Sequence, residues 1–264
     1  MSRIGERIQR LHKPVASLGF GFVPTSAPRR QMLLVVRYDG RSGEQDMSPA
    51  LGSADAVVVM PGAPDCDALR QGANMQPGSM PLGVWVEQAP VLPVEATESC
   101  YDFLVCDFNG PAEAVSRKNR GLLIRVESDV EASRLRAVGE LGVDAVVLDA
   151  KTLDLSRLSS VVECRRLRSA SGKPVILHID RLPQAGQLVV LWQAGVDGLL
   201  VDSTVGADVL ASIRTTIDSA VFEPRPGSGG PDAAIGAHVG ALSQPEADEE
   251  GGGDGDDDDD DDDA

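Results

Sequence analysis

Aromatic side chains make up only 3% of the 264 residues, so a core built on stacked rings is excluded and the filling must come from the 42% of hydrophobic residues, chiefly Val, Leu, Ile and Ala. Cysteine is scarce as well. Cys66, Cys100, Cys106 and Cys164 show no paired CxxC spacing, which removes a zinc-finger-type site and makes reduced core thiols the expectation. No apolar run reaches membrane-spanning length, and MSRIGERIQRLHKP has charges where a signal peptide needs an apolar stretch. A soluble cytoplasmic protein is expected. Lys and Arg form no basic face with interleaved aromatics, so nucleic acid is not an expected partner.

The net charge of −17 belongs mostly to one end. Fourteen of the 41 acidic residues lie beyond Pro226, where there is no Lys or Arg, so the remainder carries 27 acids against 24 bases. From about Glu223 the chain reads EPRPGSGGPDAAIGAHVGALSQPEADEEGGGDGDDDDDDDDA, and residues 224–264 are expected to form a disordered acidic tail. Its expected role is solubility. The poly-Asp run lacks the spaced ligands and turn glycine of a calcium loop.

What the chain does have is a repeated unit. Arg120 to Ser156 contains an apolar run of strand length (Gly121 to Val126), a helical pattern with Val130, Leu135, Val138 and Leu141 along one face, a closing Gly142, and a second apolar run. A strand, helix and strand in that length make a parallel crossover. Eight such runs occur: Met32 to Tyr38, Ala56 to Met60, Leu82 to Glu87, Phe103 to Asp107, Leu122 to Val126, Ala145 to Asp149, Val175 to Ile179 and Gly198 to Asp202. Alternate runs share a signature, ADAVVVM, YDFLVCD, VDAVVLD and VDGLLVD, as four quarters of a barrel would.

The expected fold class is therefore α/β, a (β/α)8 TIM-type barrel over residues 31–223, with residues 1–30 as an N-terminal helix and lead-in. Helices are expected over residues 2–13, Asp129 to Leu141, Leu155 to Ser169, Pro183 to Ala194 and Ala207 to Val221, and short or irregular ones in the first half. An open doubly wound sheet would need a glycine-rich first turn that the chain lacks.

In such a barrel, chemistry belongs to the C-terminal ends of the strands, where side chains of one parity face inward. Parity places Arg37 with Asp39, Trp85 with Glu87, Arg125 with Glu127 and His178 with Asp180 on odd strands. On even strands it places Asp107, Asp149 and Asp202, with Met60 as the exception. Arg37 and Arg125 are candidates to grip a substrate carboxylate, and His178 is a candidate base. Glu87, Asp107, Asp180 and Asp202 are candidate substrate contacts. Lys151, just past the sixth strand, reads as a solvated loop lysine. The turns HIDRLP and VDSTVG lack the glycine-rich phosphate signature, so phosphorylated substrates and flavin mononucleotide lose ground, and Ser203, Thr204 and Gly206 offer only a weak anion site.

Glu127-Ser128 followed by GVDAVVLDAKTLDLS resembles the metal-dependent HpcH/HpaI aldolase and citrate-lyase-β-like barrels, as does GKPVILHIDRLPQAGQLVVLWQAGVDGLLVDS. The resemblance covers the second half of the chain. It implies a Mg2+ or Mn2+ ion held by Glu127 and Asp154, with Asp149 as an alternative ligand, and a carbon–carbon lyase acting on a small 2-oxo acid or acyl-CoA-type carboxylate. In this chain Asp149-Ala150-Lys151-Thr152-Leu153 stands where the family has Gly-Pro and one residue, which displaces the second ligand by two positions. The competing expectation is a barrel without catalysis that serves as a scaffold or binds a small ligand. A homo-oligomer is compatible with either.

Overall fold

The computed structural model describes residues 2–12, 31–40, 51–61, 66–72, 80–86, 100–116, 120–223 and 225. The expected acidic tail apart from Arg225, the lead-in over 13–30 and Glu87 lie outside the described residues. Helix α1 (Arg3–His12) comes first, followed by strands β1 (Leu33–Tyr38), β2 (Ala56–Val59), β3 (Leu82–Val86), β4 (Phe103–Cys106), β5 (Gly121–Val126), β6 (Ala145–Asp149), β7 (Val175–Ile179) and β8 (Val196–Asp202). All pair in parallel, each with the next in sequence, and β8 pairs back to β1. The sheet is a closed eight-stranded barrel, the (β/α)8 architecture read from the sequence.

Helices α2 (Cys66–Gly72), α3 (Ala132–Glu140), α4 (Leu158–Ser171), α5 (Ala185–Ala194) and α6 (Ala207–Ser219) lie between or after strands, with 3-10 turns at Ala112–Ser116 and Ser203–Val205. The second-half helices match the expected ones; α3, α4 and α5 start two or three residues late, and α6 starts at Ala207 as expected. At α4 the cause is local: the Asp154 carboxylate accepts the Ser156 N–H at 3.1 Å, and that turn occupies the residues where the helix was expected to begin. Gly142, expected to close α3, does not do so, because Leu141 caps the helix in an extended conformation. Gly172 and Gly195 do terminate α4 and α5, with φ of 64° and 108°, a region that suits glycine.

Strand alternation divides the core in two. One set of side chains, including Val36, Leu104, Leu148 and Leu177, packs with Leu135, Leu167, Leu188 and Ile213 from the helices. The other set, including Leu33, Val35, Val58, Trp85, Phe103, Val105, Leu123, Val147, Ile176 and Leu200, forms a separate cluster inside the barrel. Ile4 and Ile8 of α1 join that inner cluster at 0% and 2% exposure, so α1 plugs the barrel's N-terminal end. Gly83 leaves room for Phe103, since a Cβ there would lie 2.3 Å from its ring.

The shared strand signature has a structural role at this floor. Its first aspartate stands at the foot of each even strand and accepts a backbone N–H from the preceding strand. Asp55 takes Leu34 at 2.9 Å, Asp102 takes Leu82 at 3.1 Å, Asp144 takes Leu122 at 3.2 Å and Asp197 takes Val175 at 2.9 Å. Helix α1, with Ser2 just before it, supplies a partner to all four: Arg7 to Asp55, Arg3 to Asp102, Ser2 to Asp144 and His12 to Asp197. These carboxylates satisfy strand-end donors that the closed ring would otherwise bury unpaired.

The cysteine expectation holds for two residues and fails for two. Cys106 and Cys164 are buried free thiols, and burial pushes both up to about 12. Cys66 and Cys100 instead form a disulfide that ties α2 to the segment entering β4, with Cα atoms 6.3 Å apart. Cys100 precedes β4, and there it meets α2. Among the described residues, no helix is long and apolar enough to cross a membrane.

Candidate functional site

The inward positions of the strands turn from apolar to ionisable at the C-terminal mouth. β1 passes from Leu33 and Val35 to Arg37, β5 from Leu123 to Arg125, β6 from Ala145 and Val147 to Asp149, β7 from Ile176 to His178, and β8 from Leu200 to Asp202. This is the parity expected from the sequence.

Asp202 is the hub. Arg37 Nε donates to Oδ1 at 2.5 Å, Lys151 Nζ to Oδ2 at 2.7 Å, and His178 Nε2 lies 3.1 Å from Oδ1. Burial alone would raise this carboxyl, but the bonds from His178, Lys151 and Arg37 outweigh it and hold it well below the usual carboxylate range. Lys151, read from sequence as a solvated loop lysine, is thus part of the mouth: its Nζ reaches Asp202 at the end of β8. Its only sequence signal is its place two residues beyond an inward strand end.

Burial lowers the pKa of His178, and the Lys151 and Arg37 charges oppose the pull of Asp202, so the ring is neutral near pH 7. With Nε2 hydrogen-bonded to Asp202, the lone pair falls on Nδ1, which is buried without a hydrogen-bond partner among the described residues. Beside this cluster Arg125 Nη2 donates to Asp149 Oδ2 at 2.7 Å. Burial would raise Asp149 too, and the hydrogen bonds from Arg125 and from the Lys151 N–H bring it below its ordinary value. Trp85 lies beneath both groups, with the Arg37 and Arg125 guanidinium carbons 5.0 and 6.0 Å from its ring centre and the His178 ring at 5.8 Å.

Arg125 also lines a cleft of about 710 Å³ formed by the ends of β4 and β5 and the start of α3, with Asp107, Phe108, Glu127, Asp129, Glu131 and Arg134 among its walls. The size is that of a small-molecule site. Among the described residues, Arg125 Nε is buried without an acceptor.

The sequence-selected residues therefore separate. Arg37, His178 and Asp202 form one network, Arg125 and Asp149 an adjoining pair, and Asp107 and Glu127 share the cleft with Arg125. Asp180 is exposed and paired with its neighbour Arg181 at 3.2 Å. Asp154 is exposed and engaged locally: bonds from the Ser156 hydroxyl and backbone and from Arg157 pull its carboxyl down to about 2.

These positions do not suit a divalent ion. Asp149 is engaged by Arg125 and Asp154 by Ser156 and Arg157, while Glu127 stands exposed in the cleft. Among the described residues no three His, Cys, Asp or Glu side chains group so as to hold a metal.

No protein-family model matches the chain, and no curated protein matches it in sequence. Solved structures do resemble it. Tryptophan synthase subunit alpha from Legionella pneumophila aligns over 83% of this chain and 99% of its own, with a TM-score of 0.60 and 12% identity. Ligand-free tryptophan synthase from M. tuberculosis aligns over 84% and 99%, with a TM-score of 0.53 and 14% identity. A mandelate oxidase mutant carrying an FMN adduct aligns over 72% of each chain, with a TM-score of 0.51 and 11% identity. At these identities the likeness establishes the barrel fold and nothing about ligand or reaction.

Proposed function

We propose that this barrel binds a small organic carboxylate at its mouth, with Arg125 as the principal anchor. The observation that carries the reading is a local excess of cationic groups among the described residues: Arg37, Arg125 and Lys151 share two carboxylate partners, Asp149 and Asp202, and Arg125 Nε is a buried donor with no acceptor among those residues. A bound carboxylate would supply that acceptor and balance the charge. Trp85, flat beneath both guanidiniums, would hold them in place for it.

Within this reading the neutral His178 is a proton acceptor in reserve, oriented by Asp202 as a base is oriented by a carboxylate partner. The metal-dependent carbon–carbon lyase that the sequence resemblance implies has less support, because two of its three candidate donors, Asp149 and Asp154, are engaged by Arg125 and by Ser156 and Arg157. The relationship to the HpcH/HpaI aldolases rests on the second half of the sequence.

The test is thermal melting of the full chain with acetate, pyruvate and succinate at millimolar concentrations. At least one should raise the melting temperature in a saturable way, and Arg125→Ala should abolish the rise. Equal stabilisation of Arg125→Ala, or none in the parent protein, overturns the reading. Mg2+ and Mn2+ belong in the same screen: a rise with either ion that Glu127→Gln removes would restore the lyase reading.

A further inference from the structure

We infer that the ligand of this mouth is a zwitterion, an amino acid whose carboxylate meets Arg125 and whose ammonium is received by Glu127 and Asp129. The inference rests on the carboxylate reading above and adds the second pole.

Two neighbouring regions of opposite sign share Arg125. On the barrel axis cations are in excess. In the cleft the balance reverses: Asp107, Glu127, Asp129 and Glu131 line it, and the arginines present are Arg125 and Arg134. Arg125 is already bonded to Asp149, so the acids outnumber the cations available to them.

These cleft charges do not neutralise one another. Among the described residues, the Glu127 and Asp129 side chains make no hydrogen bond or ion pair, and Arg134 has no carboxylate partner but sits 5.6 Å from the Phe108 ring centre. Asp107 is held by the Asn109 N–H at 2.8 Å and Glu131 by the Ser133 hydroxyl at 3.1 Å. Opposite charges that line one cleft without closing on each other leave the space between them for a molecule that carries both signs. A plain carboxylate would use Arg125 and leave the acids repelling it, whereas an ammonium on the same molecule reverses that term. Phe108, 42% exposed on the same wall, offers an apolar surface for whatever lies beyond the charged groups.

The experiment uses the full chain and calorimetric titration with matched probes: the L-amino acids and the ω-amino acids from glycine to 6-aminohexanoate, each beside the corresponding simple carboxylate and primary amine. The expected result is at least one amino acid that binds tenfold or more tightly than both of its single-charge analogues. The double variant Glu127→Gln, Asp129→Asn, both at exposed positions, should lose that advantage while binding the simple carboxylate at least as tightly as the parent protein does. If carboxylate and amino acid bind alike, the zwitterion inference falls and the carboxylate site stands. If the amine binds as well as the amino acid, or if no probe binds, both readings fall.

Discussion

His12 Nε2, on the last turn of α1, lies 2.9 Å from Asp197 Oδ1 at the foot of β8. The same oxygen receives Arg225 Nη1 at 2.7 Å, from just beyond the last helix, while Oδ2 takes Arg168 at 3.2 Å and the Val175 N–H at 2.9 Å. Arg225 is itself laid over Trp192, 3.7 Å from the ring centre. One fully buried carboxylate thus joins the segment before β1, the segment after α6 and the strands that close the barrel. Asp197→Asn keeps the shape but leaves two arginines facing a neutral amide. A loss of about 3–5 kcal/mol is expected, read from urea denaturation, as for a buried pair that loses one member. A loss below about 1 kcal/mol, the value of a surface pair, would show that the clasp is not structural.

Helix α1 has a second hold on the barrel through Ile4 and Ile8, which complete the inner cluster. Truncating a fully buried Ile to Ala costs about 2–5 kcal/mol. Ile4→Ala should therefore lower stability by that order, and Arg10→Ala, on an exposed part of the same helix, by less than about 0.5 kcal/mol. If the two variants melt alike, α1 is not the plug.

Much of this was legible in the sequence. Eight apolar runs and the recurring signature identify the barrel, and period-two alternation selects Arg37, Arg125, Asp149, His178 and Asp202 as inward residues, because closure leaves each strand only two faces. What could not be read depends on contacts made across the ring. The first aspartate of each signature looks like a strand-start residue until β-pairing sets it beside the preceding strand's N–H, and Lys151 looks solvated until its side chain meets Asp202 at the end of β8. Asp154 fails for the opposite reason: a carboxylate two residues before a serine satisfies itself locally and never reaches the mouth.

The mouth and floor also set the response to acid. Asp149, Asp197 and Asp202 are all held below their ordinary range, although burial alone would raise each of them. The unfolded chain takes up these protons near about pH 4, before the folded protein does, so their contribution is present above that pH and is lost as the pH falls through the folded values. His178 adds an earlier phase. Its folded value is depressed, and the unfolded ring protonates near about pH 6.5, so stability begins to fall there. Urea melts between pH 8 and 3 should show both phases. His178→Gln should flatten the part that begins below about pH 6.5 while the later, carboxylate part remains. An unchanged upper slope would place its origin elsewhere.

The Cys66–Cys100 bond closes a loop with a sequence separation of 34. A loop of that length restrains the unfolded chain by about 3–4 kcal/mol in the chain-entropy treatment. Intact-mass measurement without reductant should find the chain 2 Da lighter than after full reduction. Dithiothreitol should lower the melting temperature, and Cys66→Ser should lower it to a similar level and remove the response to reductant. The buried Cys106 and Cys164 thiols should stay unmodified by alkylating agents until the protein unfolds, since burial holds both near a pKa of about 12 and leaves almost no thiolate. Rapid alkylation of four cysteines in the untreated native protein would contradict both the bond and the burial.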